Sequence, residues 1–235
     1  MMKELKDDVI IEIKNLKRSF GKKQVLNNIN LDIKKGKIYA LVGNNGVGKT
    51  TLLKIMCGML TQSEGTVVVE KGVRIGCLIE EPGIFSDLSA YSNLKAKSIC
   101  LGLKSTKEEL NAMLELVGLG DVRSRRVGKF SMGMKQRLGI ALALLGDPDL
   151  LIFDEPVNSL DPHGIVDFRK IILDIFEKTG KPMIISSHNL DELEKVATDI
   201  IVLNRGEMIR NCTKEDFIKE CGDTPIDEYF VSLCC

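Results

Sequence analysis

A glycine-rich loop in the first quarter of the sequence carries a lysine and two threonines at fixed spacing. Residues 43–50 (GNNGVGKT) match the pattern G-x-x-x-x-G-K-[ST] at every fixed position. Glycines let successive backbone N–H groups turn toward an anion, where a Cβ atom would clash. We expect Lys49 to reach the β- and γ-phosphates of a nucleotide and the Thr50 hydroxyl to bind Mg²⁺. The loop therefore predicts a nucleoside-triphosphate site formed by Gly43, Asn44, Asn45, Gly46, Val47, Gly48, Lys49, Thr50 and Thr51.

Two adjacent carboxylates form a second group of residues that could take part in catalysis. Asp154 and Glu155 follow the continuous apolar run 150–153, which is typical of a strand buried on both faces. Ligands of open α/β sheets gather at the carboxyl ends of the strands. Asp154 is placed to hold Mg²⁺, directly or through water, and Glu155 to polarise an attacking water as general base. The alternative is that both residues merely open a loop.

The elements that must position these groups alternate between strand and helix. An apolar run of strand length at 38–42 precedes the glycine loop, and helix-type apolar spacing follows it over 49–57. After residue 147, strands and helices are predicted in alternation at 150–153, 165–178, 183–186, 190–197 and 200–203. Such alternation implies an α/β fold with a mostly parallel sheet and helices on both faces. A turn is predicted at 204–206, and one or two short helices are predicted after Thr213.

Two other regions differ from this pattern. Near the N-terminus, strands are predicted at 9–14, 24–33, 66–69 and 73–78, the last two joined by a turn at 71–72. From about 82 to 147 the β-branched runs disappear, and helices are predicted at 91–94, 107–117 and 131–145. We interpret residues 1–235 as a single domain with a helical insertion at about 82–147.

Composition excludes several classes of function. Thirty-three basic and thirty-three acidic residues give a formal net charge of zero, which argues against a nucleic-acid partner. No apolar stretch approaches the roughly 18–20 residues that cross a bilayer, and the charged N-terminus lacks a signal-peptide core, so we expect an intracellular protein. Seven cysteines without C-x-x-C spacing suggest reduced thiols. Cys234 and Cys235 are interpreted as a frayed tail, with lipidation as the alternative.

The order of these motifs resembles the ATP-binding subunit of an ABC transporter over almost the whole chain. Residues 130–137 (FSMGMKQR) are similar to the family's Leu-Ser-Gly-Gly-Gln signature, with Ser131 and Gly133 kept and methionine at positions 132 and 134. Ser131 is placed to cap the following helix, whose N-terminus would be a second anion site. In the family this site closes on the γ-phosphate held by the other subunit. The alternative is a simple helix start.

Three further stretches resemble motifs of the same family. Residues 158–161 are similar to the loop that crosses between subunits, so the resemblance places Asp161 at the dimer interface. His188, after a buried strand, is similar to the switch histidine that binds the γ-phosphate and orients Glu155 and the water. Phe20 resembles the aromatic residue that stacks on adenine, with Val25 beside the ring. For Phe20 the alternative is a buried core position.

One position departs from the usual family pattern. The family normally has glutamine after the strand that leads into the helical insertion, and the alignment puts Glu80 there. Both side chains offer an oxygen to Mg²⁺, but a carboxylate adds negative charge near the γ-phosphate, so metal binding and turnover should differ. Residues 79–83, 91–94 and 131–137 together are similar to the bacitracin and lantibiotic export and immunity branch, which carries glutamate at this loop.

The resemblance implies a fold and a function. The fold is that of a phosphate-loop NTPase of ABC type: a mostly parallel sheet core, an N-terminal antiparallel β-subdomain and an inserted helical subdomain. The function is ATP hydrolysis with Mg²⁺ by a homodimer that sandwiches two ATP molecules. This motor would drive separate membrane permease subunits through residues 82–94, on the inner face of the cell membrane, and export a peptide antibiotic or related amphiphile. Alternatives are a soluble ABC-type ATPase acting on DNA or the ribosome, and a non-hydrolysing ATP-binding regulator.

Overall fold

A computed structural model describes residue 5 and residues 7–80, 82–158 and 160–234. In this part of the chain, nine strands form two sheets. The first is antiparallel, in the order β2-β1-β4. Its strands are β1 (Val9–Phe20), β2 (Lys23–Lys34) and β4 (Glu64–Val69). This sheet confirms the predicted N-terminal antiparallel β-subdomain.

The second sheet has the order β5-β6-β7-β3-β8-β9. Its strands are β3 (Ile38–Val42), β5 (Ile75–Leu78), β6 (Leu150–Phe153), β7 (Met183–Ser187), β8 (Asp199–Asn204) and β9 (Glu207–Thr213). All neighbouring pairs are parallel except β8 and β9, which are antiparallel. The predicted α/β fold with a mostly parallel sheet is therefore confirmed.

The α-helices of the described residues lie between these strands in the sequence, except for the last two, which follow β9. They are α1 (Lys49–Met56), α2 (Ala90–Cys100), α3 (Lys107–Leu116), α4 (Met132–Leu144), α5 (Pro162–Thr179), α6 (Leu190–Leu193), α7 (Lys214–Cys221) and α8 (Ile226–Cys234). Helices α2 to α4 lie between β5 and β6 in the sequence, at the predicted helical insertion. No helix of the described ranges is both long and apolar enough to cross a bilayer.

Two apolar cores position the functional loops. One fills the space between the two sheets and contains the buried face of α1, including Leu52 and Leu53. The other covers the opposite face of the parallel sheet and continues into the helices α2 to α4. Because β3 and β6 contribute to both cores and are fully buried, the loops that follow them start from rigid strand ends.

The structure corrects three predictions of the N-terminal and C-terminal regions. Strand β1 continues to Phe20 although alternation breaks after Lys14, because Asn15 adopts a positive φ of 49° and shifts the register there. Strands β4 and β5 do not form a hairpin; β4 pairs with β1, whereas β5 pairs with β6. Strand β9 was not predicted, although its turn at 204–206 was.

The helix and tail predictions have mixed outcomes. The predicted helix 190–197 ends as an α-helix at Leu193, whereas the helix predicted at 165–178 begins earlier, at Pro162, and ends at Thr179. The two short C-terminal helices are confirmed by α7 and α8. Free thiols are found at Cys57, Cys77, Cys100, Cys212 and Cys221, and Cys235 lies outside the described residues.

Candidate active site

The glycine-rich loop joins the buried strand β3 to helix α1. Gly46 and Gly48 have φ values of 81° and 111°, in the region that favours glycine. A Cβ at Gly43 would stand 2.3 Å from the Leu203 carbonyl oxygen and 2.8 Å from a methyl group of Val47. Gly43 is thus fixed by close packing and the other two glycines by backbone conformation. Together they direct the start of α1, with its unpaired N–H groups, into the loop.

Lys49 is folded back over this loop and only 5% exposed. Its Nζ donates to the Gly43 carbonyl oxygen at 2.6 Å and to that of Asn44 at 3.3 Å. The same ammonium lies 3.1 Å from Glu155 Oε1. A buried charge needs such partners, and a phosphate entering the loop would offer the ammonium stronger ones.

Thr50 and Asp154 are brought together from two distant parts of the sequence. Thr50 Oγ1 donates to Asp154 Oδ2 at 2.7 Å. Both are oxygen donors of the type that Mg²⁺ prefers, and Mg²⁺ commonly takes only one or two protein ligands beside phosphate oxygens and water. Among the described residues, no cluster of three or more His, Cys, Asp or Glu side chains could hold a metal. The pair Thr50–Asp154 therefore fits Mg²⁺ bound together with a nucleotide.

Ser186 hydrogen-bonds both Asp154 and Glu155, a role that the sequence did not reveal. Its Oγ donates to Asp154 Oδ1 at 2.6 Å and accepts from the Glu155 backbone N–H at 2.8 Å. Ser186 is fully buried at the end of β7. One hydroxyl therefore fixes the Asp154 carboxylate and the backbone that carries Glu155.

We expect Ser186→Ala to destabilise the protein and to slow ATP hydrolysis. The substitution leaves two buried polar groups without a partner, a loss of about 1–3 kcal/mol for each such group. Urea unfolding monitored by circular dichroism measures the first effect, and steady-state ATP hydrolysis the second. Ser187→Ala is the matched control, since Ser187 is equally buried and, among the described residues, its hydroxyl accepts only from the Asn189 N–H. Equal effects of both substitutions on hydrolysis would contradict the role of Ser186.

Glu155 and His188 form the second half of the site. His188 Nδ1 lies 2.9 Å from Glu155 Oε2. Glu155 Oε1 is buried and accepts no hydrogen bond from the described residues, because its contact with Lys49 is an ion pair without hydrogen-bond geometry. Glu155 also has a positive φ of 47°, a costly conformation for a residue with a Cβ, of a kind that clusters at functional sites. A fixed carboxylate oxygen with free acceptor capacity suits a general base.

The residues predicted to contact adenine lie at the surface. Phe20 is 48% exposed, which excludes the alternative of a buried core position. The Arg18 guanidinium lies 4.4 Å from the centroid of the Phe20 ring, a cation–π contact that the sequence did not suggest. Val25 lines a cavity of about 180 Å³ together with Glu155 and residues of the glycine loop. Adenine stacking by Phe20 stays a prediction.

The residues predicted to act across a dimer begin two helices. Ser131 Oγ accepts from the Met134 N–H at 3.3 Å and caps α4, and Asp161 Oδ1 accepts from the Gly164 N–H at 2.7 Å and caps α5. Both are exposed. A Cβ at Gly133 would lie 3.5 Å from Leu160 Cδ2, so the two stretches are neighbours. Ser159, which belongs to the stretch 158–161, lies outside the described residues. Within the described residues, no hydrogen bond joins Ser131, Gly133 or Asp161 to Lys49 or Glu155.

Glu80 contacts a lysine of α1. Its Oε1 lies 2.7 Å from Lys54 Nζ, and its side chain is 64% exposed. Its backbone has a positive φ of 60°. The predicted contact with Mg²⁺ stays a prediction, and Lys54 is a partner that the sequence did not indicate.

Comparison with known proteins gives consistent family matches. The family model described as ABC transporter matches residues 26–158. The chain is 44% identical over 207 residues to the lantibiotic transport ATP-binding protein SrtF of Streptococcus pyogenes, covering 85% of this chain and 89% of that protein. It is 39% identical over 212 residues to the bacitracin transport ATP-binding protein BcrA of Enterococcus faecalis, covering 86% and 68%.

Solved structures agree on the fold. An ATP-binding subunit of an ABC transporter superposes with a TM-score of 0.81 at 26% identity, covering 95% of this chain and 99% of that one. A dimeric form of the ATP-binding cassette MJ0796, bound to ADP and phosphate, gives a TM-score of 0.78 at 22% identity, covering 87% and 99%. Fold, family match and the converging site residues lead to one conclusion. The chain belongs to the ABC transporter family, as an ATP-binding subunit with the ATPase activity that is coupled to transport in this family.

Proposed function

We propose that this subunit hydrolyses Mg²⁺-ATP at the network that joins Lys49, Thr50 and Asp154 to Glu155 and His188. The observation that carries the proposal is the convergence of these side chains, from three separate segments at strand ends or helix starts, through contacts of 2.6–3.1 Å. Lys49 leaves the Gly43 carbonyl and binds the β- and γ-phosphates. The glycine-loop N–H groups and the start of α1 bind the same anion.

Proton transfer is assigned to Glu155. Its Oε1, which accepts no hydrogen bond from the described residues, takes a proton from the attacking water. His188 holds the other carboxylate oxygen through Nδ1 and orients Glu155 toward the γ-phosphate. Bound Mg²⁺ would supply charge stabilisation at the phosphoryl oxygens, with Thr50, Asp154 and Glu80 as the residues that would hold it. Phe20 stacks on adenine with its exposed ring face, and Val25 contacts its edge.

Two copies of the chain complete each site. Ser131 and Gly133, at the exposed start of α4, bind the γ-phosphate held by the partner copy, and Asp161 lies at the same interface. Support comes from the exposed caps Ser131 and Asp161, whose side chains form no hydrogen bond to Lys49 or Glu155 within the described residues. The cassette MJ0796 is a dimer in its post-hydrolysis structure.

The cargo we propose is a peptide antibiotic or a related amphiphile, exported through separate permease subunits at the inner face of the cell membrane. Support comes from the names of SrtF and BcrA, which are lantibiotic and bacitracin transport proteins. The segment 82–94 is the proposed contact with the permease, and it exposes Phe85 and Leu88. Large exposed apolar side chains commonly mark interaction surfaces.

Tagged protein purified from native membranes in mild detergent tests this proposal. We expect integral-membrane proteins to co-purify, and lantibiotic or bacitracin to raise the ATPase rate of the complex. Phe85→Ala should release the membrane proteins, whereas Ile218→Ala, at another exposed apolar residue on α7, should not. Co-purification with ribosomes or DNA in place of membrane proteins would favour the soluble ATPase instead. ATP binding without hydrolysis in the purified complex would favour the regulator.

A further inference from the structure

The contact between Lys54 and Glu80 joins the unusual carboxylate of this chain to the helix that starts at the phosphate loop. Lys54 Nζ lies 2.7 Å from Glu80 Oε1, with 30% and 64% of the two side chains exposed. The residues come from different elements, since Lys54 is on α1 and Glu80 follows β5. The pair therefore depends on the folded chain and not on local sequence.

Lys54 lies close to the proposed metal site along the helix. Thr50 and Lys54 are four residues apart on α1, so they share one face about one helical turn from each other. Thr50 holds Asp154 at 2.7 Å. The Glu80 carboxylate is thus paired with a lysine whose position on α1 is one turn from the residue that is proposed to bind Mg²⁺.

The backbone of Glu80 limits where its carboxylate can go. Its φ of 60° lies in the left-handed region, which an ordinary side chain adopts at a cost. The Asp154 N–H donates to the carbonyl oxygen of Leu78 at 2.8 Å, which ties the end of β5 to the metal-binding loop. Glu80 therefore follows, two residues later, a strand end that is hydrogen-bonded to the loop carrying Asp154.

We propose that Lys54 is a positioning residue that holds the Glu80 carboxylate, so that Mg²⁺ competes with the Lys54 ammonium for it. The inference rests on the proposed function of Glu80 as a ligand of nucleotide-bound Mg²⁺. A carboxylate beside the γ-phosphate adds repulsion that a glutamine would not. The ammonium of Lys54 neutralises this charge while the metal is absent and gives it up when the metal binds.

The competition predicts the direction and the size of a change in the Mg²⁺ requirement for nucleotide binding. In Lys54→Met the aliphatic stem remains but the charge is lost, so Glu80 is free and the Mg²⁺ concentration for half-maximal nucleotide binding falls. We expect a decrease of roughly two- to fivefold, the range that corresponds to an exposed ion pair. In a Glu80→Gln background there is no carboxylate to release. Lys54→Met should then change the Mg²⁺ requirement by less than about 1.5-fold, since the charge alone is screened by solvent.

A double-mutant cycle measures this coupling. The four proteins are wild type, Lys54→Met, Glu80→Gln and the double variant, each titrated with Mg²⁺ while a fluorescent, non-hydrolysable ATP analogue binds. Steady-state ATPase assays on the same proteins separate the Mg²⁺ requirement from kcat. Lys54→Arg should restore the wild-type requirement, because the pair is kept. Equal shifts by Lys54→Met in both backgrounds would overturn the inference.

The pair Lys17–Glu64 is a matched control. It joins β1 to β4 in the antiparallel sheet at 2.8 Å, with exposures of 37% and 65%. The corresponding double-mutant cycle uses Lys17→Met and Glu64→Gln. These variants should change the thermal stability of the protein about as much as the Lys54 and Glu80 variants do. They should not change the Mg²⁺ requirement for nucleotide binding. If wild type binds nucleotide with Mg²⁺ but does not hydrolyse it, the ATPase proposal fails while the binding cycle still decides the role of Lys54. Nucleotide binding that is independent of Mg²⁺ would overturn the inference by itself.

Discussion

Glu155→Gln should lower the rate of ATP hydrolysis by about 10²- to 10⁴-fold, the usual contribution of a positioned general base. Glutamine keeps the shape of the side chain and can still hydrogen-bond His188, which lies 2.9 Å from Glu155 Oε2. It cannot take a proton from water. Binding of ATP should be retained or become tighter, since the ion pair that draws Lys49 toward Glu155 Oε1 is removed. The ATP-bound state should accumulate as a stable dimer.

Steady-state phosphate release, equilibrium binding of a fluorescent nucleotide and size-exclusion chromatography with ATP measure these three effects. Glu192→Gln is the matched control, because Glu192 is similarly half-buried and paired with Arg169 at 2.8 Å, away from the network around Lys49. It should leave turnover unchanged. Hydrolysis by Glu155→Gln at the wild-type rate would exclude Glu155 as the base.

Residues whose function depends on local spacing were predictable from the sequence. The glycine loop defines its own backbone path, and the apolar runs before it and before Asp154 indicate buried strands that end at one edge of the sheet. The structure joins Thr50 to Asp154 at that edge, although 104 residues separate them. Because the carboxyl ends of parallel strands meet at one edge of the sheet, two local patterns were enough to predict one common site.

Contacts that depend on the tertiary arrangement were not predictable in this way. Ser186 occurs in a short polar stretch after an apolar run, and nothing in that stretch says that its hydroxyl reaches the Asp154 carboxylate and the Glu155 backbone N–H in another loop. Lys54 looks like a solvated helix residue until the end of β5 places Glu80 beside it. Strand pairing failed for the same reason, since the turn at 71–72 suggested a hairpin while β4 pairs with β1.

The sequence contains the turn that leads into strand β9, but it gives no clear signal for the strand itself. Arg205 and Gly206 both have positive φ, at 48° and 80°, the conformation of a tight two-residue hairpin turn. The turn was predicted, but residues 207–213 are only partly buried at the sheet edge and show no clear apolar alternation. A strand at an edge needs little apolar surface, which weakens the periodicity on which the prediction depends.

Mixing two inactive variants should restore ATP hydrolysis if each site is shared between copies. Lys49→Ala removes the phosphate-binding ammonium. Gly133→Asp puts a carboxylate at the start of α4, where it would repel a γ-phosphate; the nearest atom to a Cβ there is 3.5 Å away, so the side chain fits. In a mixed dimer one site carries both defects and the other carries none. Because about half of randomly formed dimers are mixed, activity should recover to at most about one quarter of wild type.

The control is a mixture of Lys49→Ala with Glu155→Gln. Lys49 and Glu155 contact each other within one chain, so every site of every dimer in this mixture has one defect and no recovery is expected. Recovery in the first mixture alone would place Ser131 and Gly133 opposite the phosphate loop of the partner copy. Activity no higher than the sum of the two separate variants in both mixtures would instead contradict the shared site. The capped start of α4 would then be only a helix terminus, and the subunit would have to complete its site by other means.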